Sequence, residues 1–142
     1  MKKYLVDGVS KVLFYVPPTA LWEFYVANME IEEVAISRSV ATGINLIVGG
    51  FQGKIRDYAA KKLNLTKASS EWKKTTLDTC INALIGSGTY ASALTASGAS
   101  LEESLYALPF GVIIATTTGR PYGWFQDKFR MLFNINEAYR ED

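Results

Sequence analysis

TCINALIGSGTYASALTASGASL, residues 79–101, runs for 23 positions without one charged side chain. A helix crosses the hydrocarbon of a bilayer in about 20 residues, so the stretch is long enough to span one. The outer helix of a soluble bundle would show a charged stripe along its wet face. This segment has none, and lipid rather than water is its expected solvent.

Further uncharged blocks lie on either side, over 39–53 and over 104–119, the latter continuing past Arg120 through Tyr122, Trp124 and Phe125. A fourth candidate near the start holds Asp7, Lys11 and Glu23 and is interrupted by Pro17-Pro18. The pattern predicts helices over residues 5–28, 34–53, 77–97 and 104–126. Met1-Lys2-Lys3 could open a signal peptide, but charges interrupt the apolar run and no small-residue cleavage site follows. The first helix is therefore expected to stay attached.

The connections sort their charges. Glu30, Glu32 and Glu33 mark the first turn and Glu102 and Glu103 the third, without a basic residue in either. The central connection carries Lys54, Arg56, Lys61, Lys62, Lys67, Lys73 and Lys74, and the ends carry Lys2, Lys3, Lys128 and Arg130. Basic loops stay on the cytoplasmic side, which puts both termini and the central connection inside. A soluble bundle has no reason to alternate its loops in this way.

The chain also matches itself. Gly49, Gly53 and Asp57 fall on Gly119, Gly123 and Asp127 at a displacement of 70, and Ile31-Glu32-Glu33 falls on Leu101-Glu102-Glu103. Asp7 and Asp78 correspond with one residue of slippage. The expected architecture is an all-α membrane protein with four transmembrane helices, arranged as two parallel-oriented two-helix repeats with both termini cytoplasmic. All 142 residues form one transmembrane domain: a first repeat over about 4–57, a basic cytoplasmic linker over about 58–74, a second repeat over about 75–133 and a tail over 134–142.

Composition narrows the chemistry. Averages of 49% apolar, 20% charged and a mean hydropathy of +0.06 suit soluble and membrane proteins alike. The net charge of +1 argues against a nucleic-acid partner. Histidine is absent, which removes a histidine base or switch, and the single Cys80 has no thiol partner for a disulfide or zinc site. No phosphate loop or nucleophile elbow is present, so no enzyme activity, metal or cofactor is expected.

Small residues recur every fourth position at Gly111, Ala115, Gly119 and Gly123, and at Ala41, Gly49 and Gly53 with Asn45 between. Such a stripe lets two helices approach closely, between repeats or between protomers. Asp78, Asn82, Gly86 and Tyr90 form a polar stripe that must face a cavity or another helix. Glu23 and Arg38 stand at similar depth on adjacent helices and are expected to pair, as a static bond or as an outer gate. Asp7 with Lys11 reads as an i,i+4 pair. Asp7, Asp57, Asp78 and Asp127 should gather at the cytoplasmic face near Arg56 and Arg130. Without histidine, proton coupling would need carboxylates, and Asp78 leads the polar stripe.

Val6-Asp7, Glu23, Ser37-Arg38, Asn45, Gly53 to Arg56-Asp57, Asp78, Tyr90, Gly98-Ala99, Gly119 through Tyr122-Gly123 to Asp127, and Arg130-Met131-Leu132-Phe133 together carry a resemblance. Over residues 4–134 the chain resembles the AlaE-type L-alanine exporters of bacterial inner membranes. The resemblance implies export of L-alanine and similar small neutral amino acids, driven by the proton gradient, by a homo-oligomer with a dimer favoured. It also implies that Asp78 and the Gly119/Gly123 pair matter for activity. The chain departs from the pattern at Gly49-Gly50-Phe51-Gln52, which lacks a Pro-Tyr pair, at Pro17-Pro18, and at Arg120. In the exporter reading Asp78 takes the substrate ammonium or the proton, with Asn82, Tyr90 and Asn45 lining the path. The alternative is a non-transporting membrane assembly protein that pairs helices through its glycine faces.

Overall fold

Residues 1–25, 31–96, 109 and 112–139 are described by the computed structural model of the protein. Among them the structure is all-helical, as expected: α1 spans Lys2–Tyr25, α2 Ile31–Lys62, α3 Glu71–Ala96 and α4 Gly119–Leu132. A helical stretch over 112–117 leads into α4 through Thr118. The Thr118 N–H reaches the Ile114 carbonyl at 2.9 Å, and the Thr118 carbonyl accepts from the Tyr122 N–H at 2.9 Å. The hydrogen-bond ladder therefore passes through the turn.

α2, α3 and α4 run past their expected limits: α3 begins at Glu71 rather than near residue 77, and α4 ends at Leu132 rather than near residue 126. α2 continues to Lys62 instead of stopping near residue 53. Its extension carries charges but is rich in Lys and Ala, which favour helix outside lipid, and Lys61 and Lys62 suit the negative end of the helix dipole. α1 continues through Pro17 and Pro18. Proline leaves backbone carbonyls unmatched one turn back, and nearby hydroxyls commonly answer them. Here the carbonyls left without an amide donor are those of Leu13 and Phe14; the Thr19 hydroxyl, just past the prolines, donates to the Tyr15 carbonyl at 2.5 Å and to that of Val16 at 3.1 Å.

α2 and α4 end in the same device. Asn64 and Asn134 adopt left-handed backbone, with φ of 49° and 54°. The N–H of Leu65 returns to the Ala60 carbonyl at 2.9 Å, and that of Ile135 to the Arg130 carbonyl at 3.0 Å. These are Schellman closures, with asparagine in the position glycine most often fills. A β-branched residue pays about 1–2 kcal/mol in that conformation. Asn64→Val should therefore lower the melting temperature in detergent, while Asn64→Gly should leave it unchanged or raise it.

The helices form a ring in which α1 packs on α2, α2 on α3, α3 on α4 and α4 on α1. The diagonal pairs meet across the middle through long side chains, Tyr15 with Asn82, Arg56 with Asp127 and Arg130 with Asp57. Side-chain contacts show every neighbouring pair to be antiparallel: Lys3 meets Asp57 while Thr19 meets Arg38, and Arg56 meets Asp78 while Gln52 meets Asn82. The starts of α1 and α3 thus share one end of the ring with the finishes of α2 and α4.

The distribution of polarity is inverted. Asp7, Lys11, Gln52, Arg56, Asp78, Asn82, Gln126 and Arg130 are buried, whereas Leu13, Leu21, Ile47, Phe51, Leu84 and Ile113 are exposed. An apolar exterior around a charged interior is unfavourable in water and is what lipid selects. Among the described residues one stretch, Val34–Lys62 with a mean hydropathy of 1.4, is long and apolar enough by composition to cross a membrane. α1 and α3 fall short of that standard because their buried faces carry polar groups.

Candidate functional site

Two arginines organise the end of the ring where the helix termini meet. Arg130, on α4, is fully buried. Its Nε and Nη2 clamp the two oxygens of Asp7 at 2.6 and 2.7 Å, and its Nη1 donates to Asp57 at 2.7 Å. Arg56, on α2, clamps Asp127 through Nη1 and Nη2 at 2.7 Å each, and its Nε donates to Asp78 at 2.6 Å. The pattern is crossed. An arginine from the last helix holds two carboxylates of the first two helices, and an arginine from the second helix holds two carboxylates of the last two. Planar guanidinium serves here because its donors can face two carboxylates at once. Asp57 and Asp127 sit near helix C-termini, where the dipole disfavours negative charge, so the arginines also offset that cost.

Glycines make room for both clamps. A Cβ on Gly53 would collide with the Asp7 carboxylate, and one on Gly123 with that of Asp78. One turn earlier, a Cβ on Gly49 would lie 2.8 Å from the Asp7 carbonyl oxygen and the Gly8 Cα, and one on Gly119 would lie 2.5 Å from the Thr79 Cα. Ala115 packs against Gly86. Gly49, Gly53, Ala115, Gly119 and Gly123 of the small-residue stripe are thus covered by helices of the same chain. Gly111 lies outside the described residues.

The second cluster is further enclosed. Arg120 donates to Asp78 at 2.9 Å and to Glu71 at 2.7 Å, and Lys74 meets Glu71 at 2.6 Å. Those two cations hold the Glu71 carboxyl below its usual range, Lys74 more than Arg120. The segment after α4 folds back over this cluster. The Ala138 N–H caps Asp127 at 3.1 Å, the Tyr139 hydroxyl donates to Asp78 at 2.8 Å, and Glu137 meets Lys67 at 3.3 Å. The Tyr139 ring lies 4.9 Å from Arg56 and 5.6 Å from Arg120. Burial pushes the Tyr139 hydroxyl up, so it remains a donor to Asp78. The first cluster has a plainer cover: Lys3 bonds Asp57 at 2.7 Å, and Asp57 stays a quarter exposed.

Deeper in the ring lies a gallery of uncharged groups around one ammonium. Asn82 accepts from Gln52 at 3.0 Å and from Tyr15 at 3.1 Å, and donates to the Ala115 carbonyl at 2.6 Å. Lys11 donates to Gln52 at 2.6 Å. The expected i,i+4 pairing of Lys11 with Asp7 does not form, because Arg130 occupies both oxygens of Asp7. Phe14 and Tyr15 pack at a tilt against Tyr122, with centroids 5.4 and 5.3 Å away.

Of the residues singled out in the sequence, the structure brings Asp7, Arg56, Asp57, Asp78 and Asp127 to one end and places Asn82 in the gallery. Asn45 is buried on α2, near the crossing of Gly8 over Leu46. Arg38 donates to the Thr19 hydroxyl at 2.5 Å. The Glu23 and Tyr90 side chains lie outside what the structure describes, and so does the expected Glu23–Arg38 pair. Sequence reasoning passed over Gln52, Tyr15, Thr118 and Tyr139. Gln52 had a signal, since at a displacement of 70 it matches the buried Tyr122. Tyr139, in a short charged tail, had none.

The profile of the family described as "AlaE: L-alanine exporter" matches residues 1–136. The chain is 28% identical over 134 residues to the L-alanine exporter AlaE of Escherichia fergusonii, covering 92% of this chain and 84% of that protein. It is 27% identical over 141 residues to the protein of the same name from Photobacterium profundum, covering 99% and 88%. The namesake from Escherichia coli is 27% identical over 139 residues, covering 96% and 91%. No solved structure matches.

Proposed function

Because this chain belongs to the AlaE family of L-alanine exporters, we propose that it exports L-alanine across the bacterial inner membrane, with small neutral amino acids of similar size as further substrates and the proton gradient as the driving force. In this reading the four helices span the bilayer, both termini and both arginine clusters face the cytoplasm, and the chain consists of two equivalent halves. The crossing of the clusters carries the proposal. Each arginine ties one half to the carboxylates of the other, so the cytoplasmic end opens only when a clamp lets go.

Asp78 is the group whose protonation releases the second clamp. It answers Arg56, Arg120 and Tyr139 at once. Neutralising it frees two cations from one anion and loosens α3 from its neighbours. Asp7 plays the matching part in the first cluster, while Asn82, Asn45 and Tyr90 line the route. The Glu23–Arg38 pair closes the outer end. A non-transporting assembly role is not favoured, because Gly49, Gly53, Gly119 and Gly123 pack against helices of the same chain. A dimer of this protein would be joined through other surfaces.

Cells fed an alanine-containing dipeptide test the reading. Expression should lower internal alanine, and a protonophore should raise it again. Asp78→Asn should abolish export while the protein still reaches the membrane in normal amount. Export by Asp78→Asn at the unaltered rate would refute the coupling role.

A further inference from the structure

One cation in the gallery has no anion. Lys11 is 3% exposed, and among the described residues no carboxylate lies within ion-pair distance of its ammonium. Its hydrogen-bond acceptor is the neutral Gln52 amide at 2.6 Å, and the Tyr15 ring lies 5.9 Å away. The other buried cations are all matched: Arg56 holds Asp78, Arg130 holds Asp7, and Lys74 holds Glu71. An ammonium withdrawn from water without a counter-charge is strongly disfavoured, and such groups inside membrane helices mark ligand or ion routes.

The surroundings of Lys11 suit the rest of a small zwitterion. Gln52 links Lys11 to Asn82, whose Oδ1 also meets the Tyr15 hydroxyl. The Thr118 hydroxyl lies 3.0 Å from that of Tyr15 and 3.2 Å from the Asn82 amide nitrogen. Neutral acceptors therefore stand within one amide length of a lone positive charge. A carboxylate placed at Lys11 supplies the missing anion. The ammonium on the same molecule then meets oxygen acceptors rather than a second fixed charge.

We infer that Lys11 binds the carboxylate of the transported amino acid, displacing the Gln52 amide, while Asn82 Oδ1 and the Thr118 hydroxyl accept from the substrate ammonium. The inference rests on the export reading above and adds the recognition element. It has a consequence for selectivity. A zwitterion leaves the net charge of the gallery unchanged, whereas an amino amide brings a second cation beside Lys11. L-alanine should therefore be accepted and L-alaninamide rejected.

Purified protein in proteoliposomes, loaded with labelled L-alanine, provides the test with Lys11→Met and Lys11→Arg beside the unaltered chain. Unlabelled L-alanine should compete at least tenfold better than L-alaninamide for the unaltered protein. Lys11→Met should raise KM for alanine at least tenfold and erase the preference, while Lys11→Arg retains it. An unchanged KM and preference in Lys11→Met would overturn the inference. A parallel melting measurement in detergent needs no transport: L-alanine, but not L-alaninamide, should raise the melting temperature of the unaltered chain and leave that of Lys11→Met unmoved. Stabilisation of that pattern without transport would sink the export reading and keep the Lys11 site. Stabilisation absent, or equal in Lys11→Met, would sink the site.

Discussion

Arg130→Met is expected to leave little folded protein. Arg130 is fully buried and holds Asp7 through two short bonds and Asp57 through a third. Asp57 keeps Lys3 when the arginine is lost. Asp7, 1% exposed, keeps no described ion-pair partner. Removing one member of a buried pair costs about 3–5 kcal/mol, because the other charge stays behind in a poor solvent. Whole domains are commonly stable by about 5–15 kcal/mol, so this is a large share. The double variant Arg130→Met with Asp7→Asn removes the stranded charge and should recover much of the loss. Arg130→Lys should fall between, since a point charge cannot face two carboxylates as a planar fork does. Thermal melting and gel filtration in detergent would rank the four proteins. A melting temperature for Arg130→Met equal to that of the unaltered chain would refute the account.

Gly119→Ala should be nearly as damaging, for a different reason. The added methyl would stand 2.5 Å from the Thr79 Cα and 2.9 Å from its nitrogen. Backbone cannot swing aside as a side chain can, so α4 must move away from α3. Overpacking of this sort costs about 1–3 kcal/mol, and the displacement also pulls Gly123 away from the Asp78 clamp. Gly123→Ala meets the movable carboxylate of Asp78 instead. It should be milder in stability and more severe in transport. Gly43→Ala and Gly88→Ala are controls, since a Cβ at either meets nothing within 4 Å. Relief of glycine's conformational freedom should stabilise each by about 0.5–1 kcal/mol. Equal melting temperatures for Gly119→Ala and Gly43→Ala would count against close packing at that crossing.

The sequence allowed the carboxylates to be located better than their partners. Asp57 and Asp127 stood out because they follow helices at the end where negative charge is unwelcome. Asp78 stood out because it heads a stripe that lipid would reject. Their assignment to Arg56 and Arg130 depends on which helices become neighbours, and helical period says nothing about that. The i,i+4 rule suggested Lys11 for Asp7, yet such pairs are worth only about 0.2–0.5 kcal/mol and a bidentate guanidinium overrides them. Local rules also placed the end of α2 too early, because they tracked the loss of apolar character rather than the closing asparagine. Leu63-Asn64-Leu65 and Phe133-Asn134-Ile135 stand 70 apart like the glycines, and could have marked both closures.

The crossed clamps also bear on how the chain is made. A ribosome delivers the first hairpin complete with Asp7, Asp57 and Arg56 well before Arg130 emerges. Until α4 arrives, the newborn hairpin carries acids that lack their guanidinium and a guanidinium that lacks its acids. Packing of the early helices is thus provisional, and the segment around Ala138 and Tyr139, which follows α4 in the chain, can seal the second clamp only after α4 has docked.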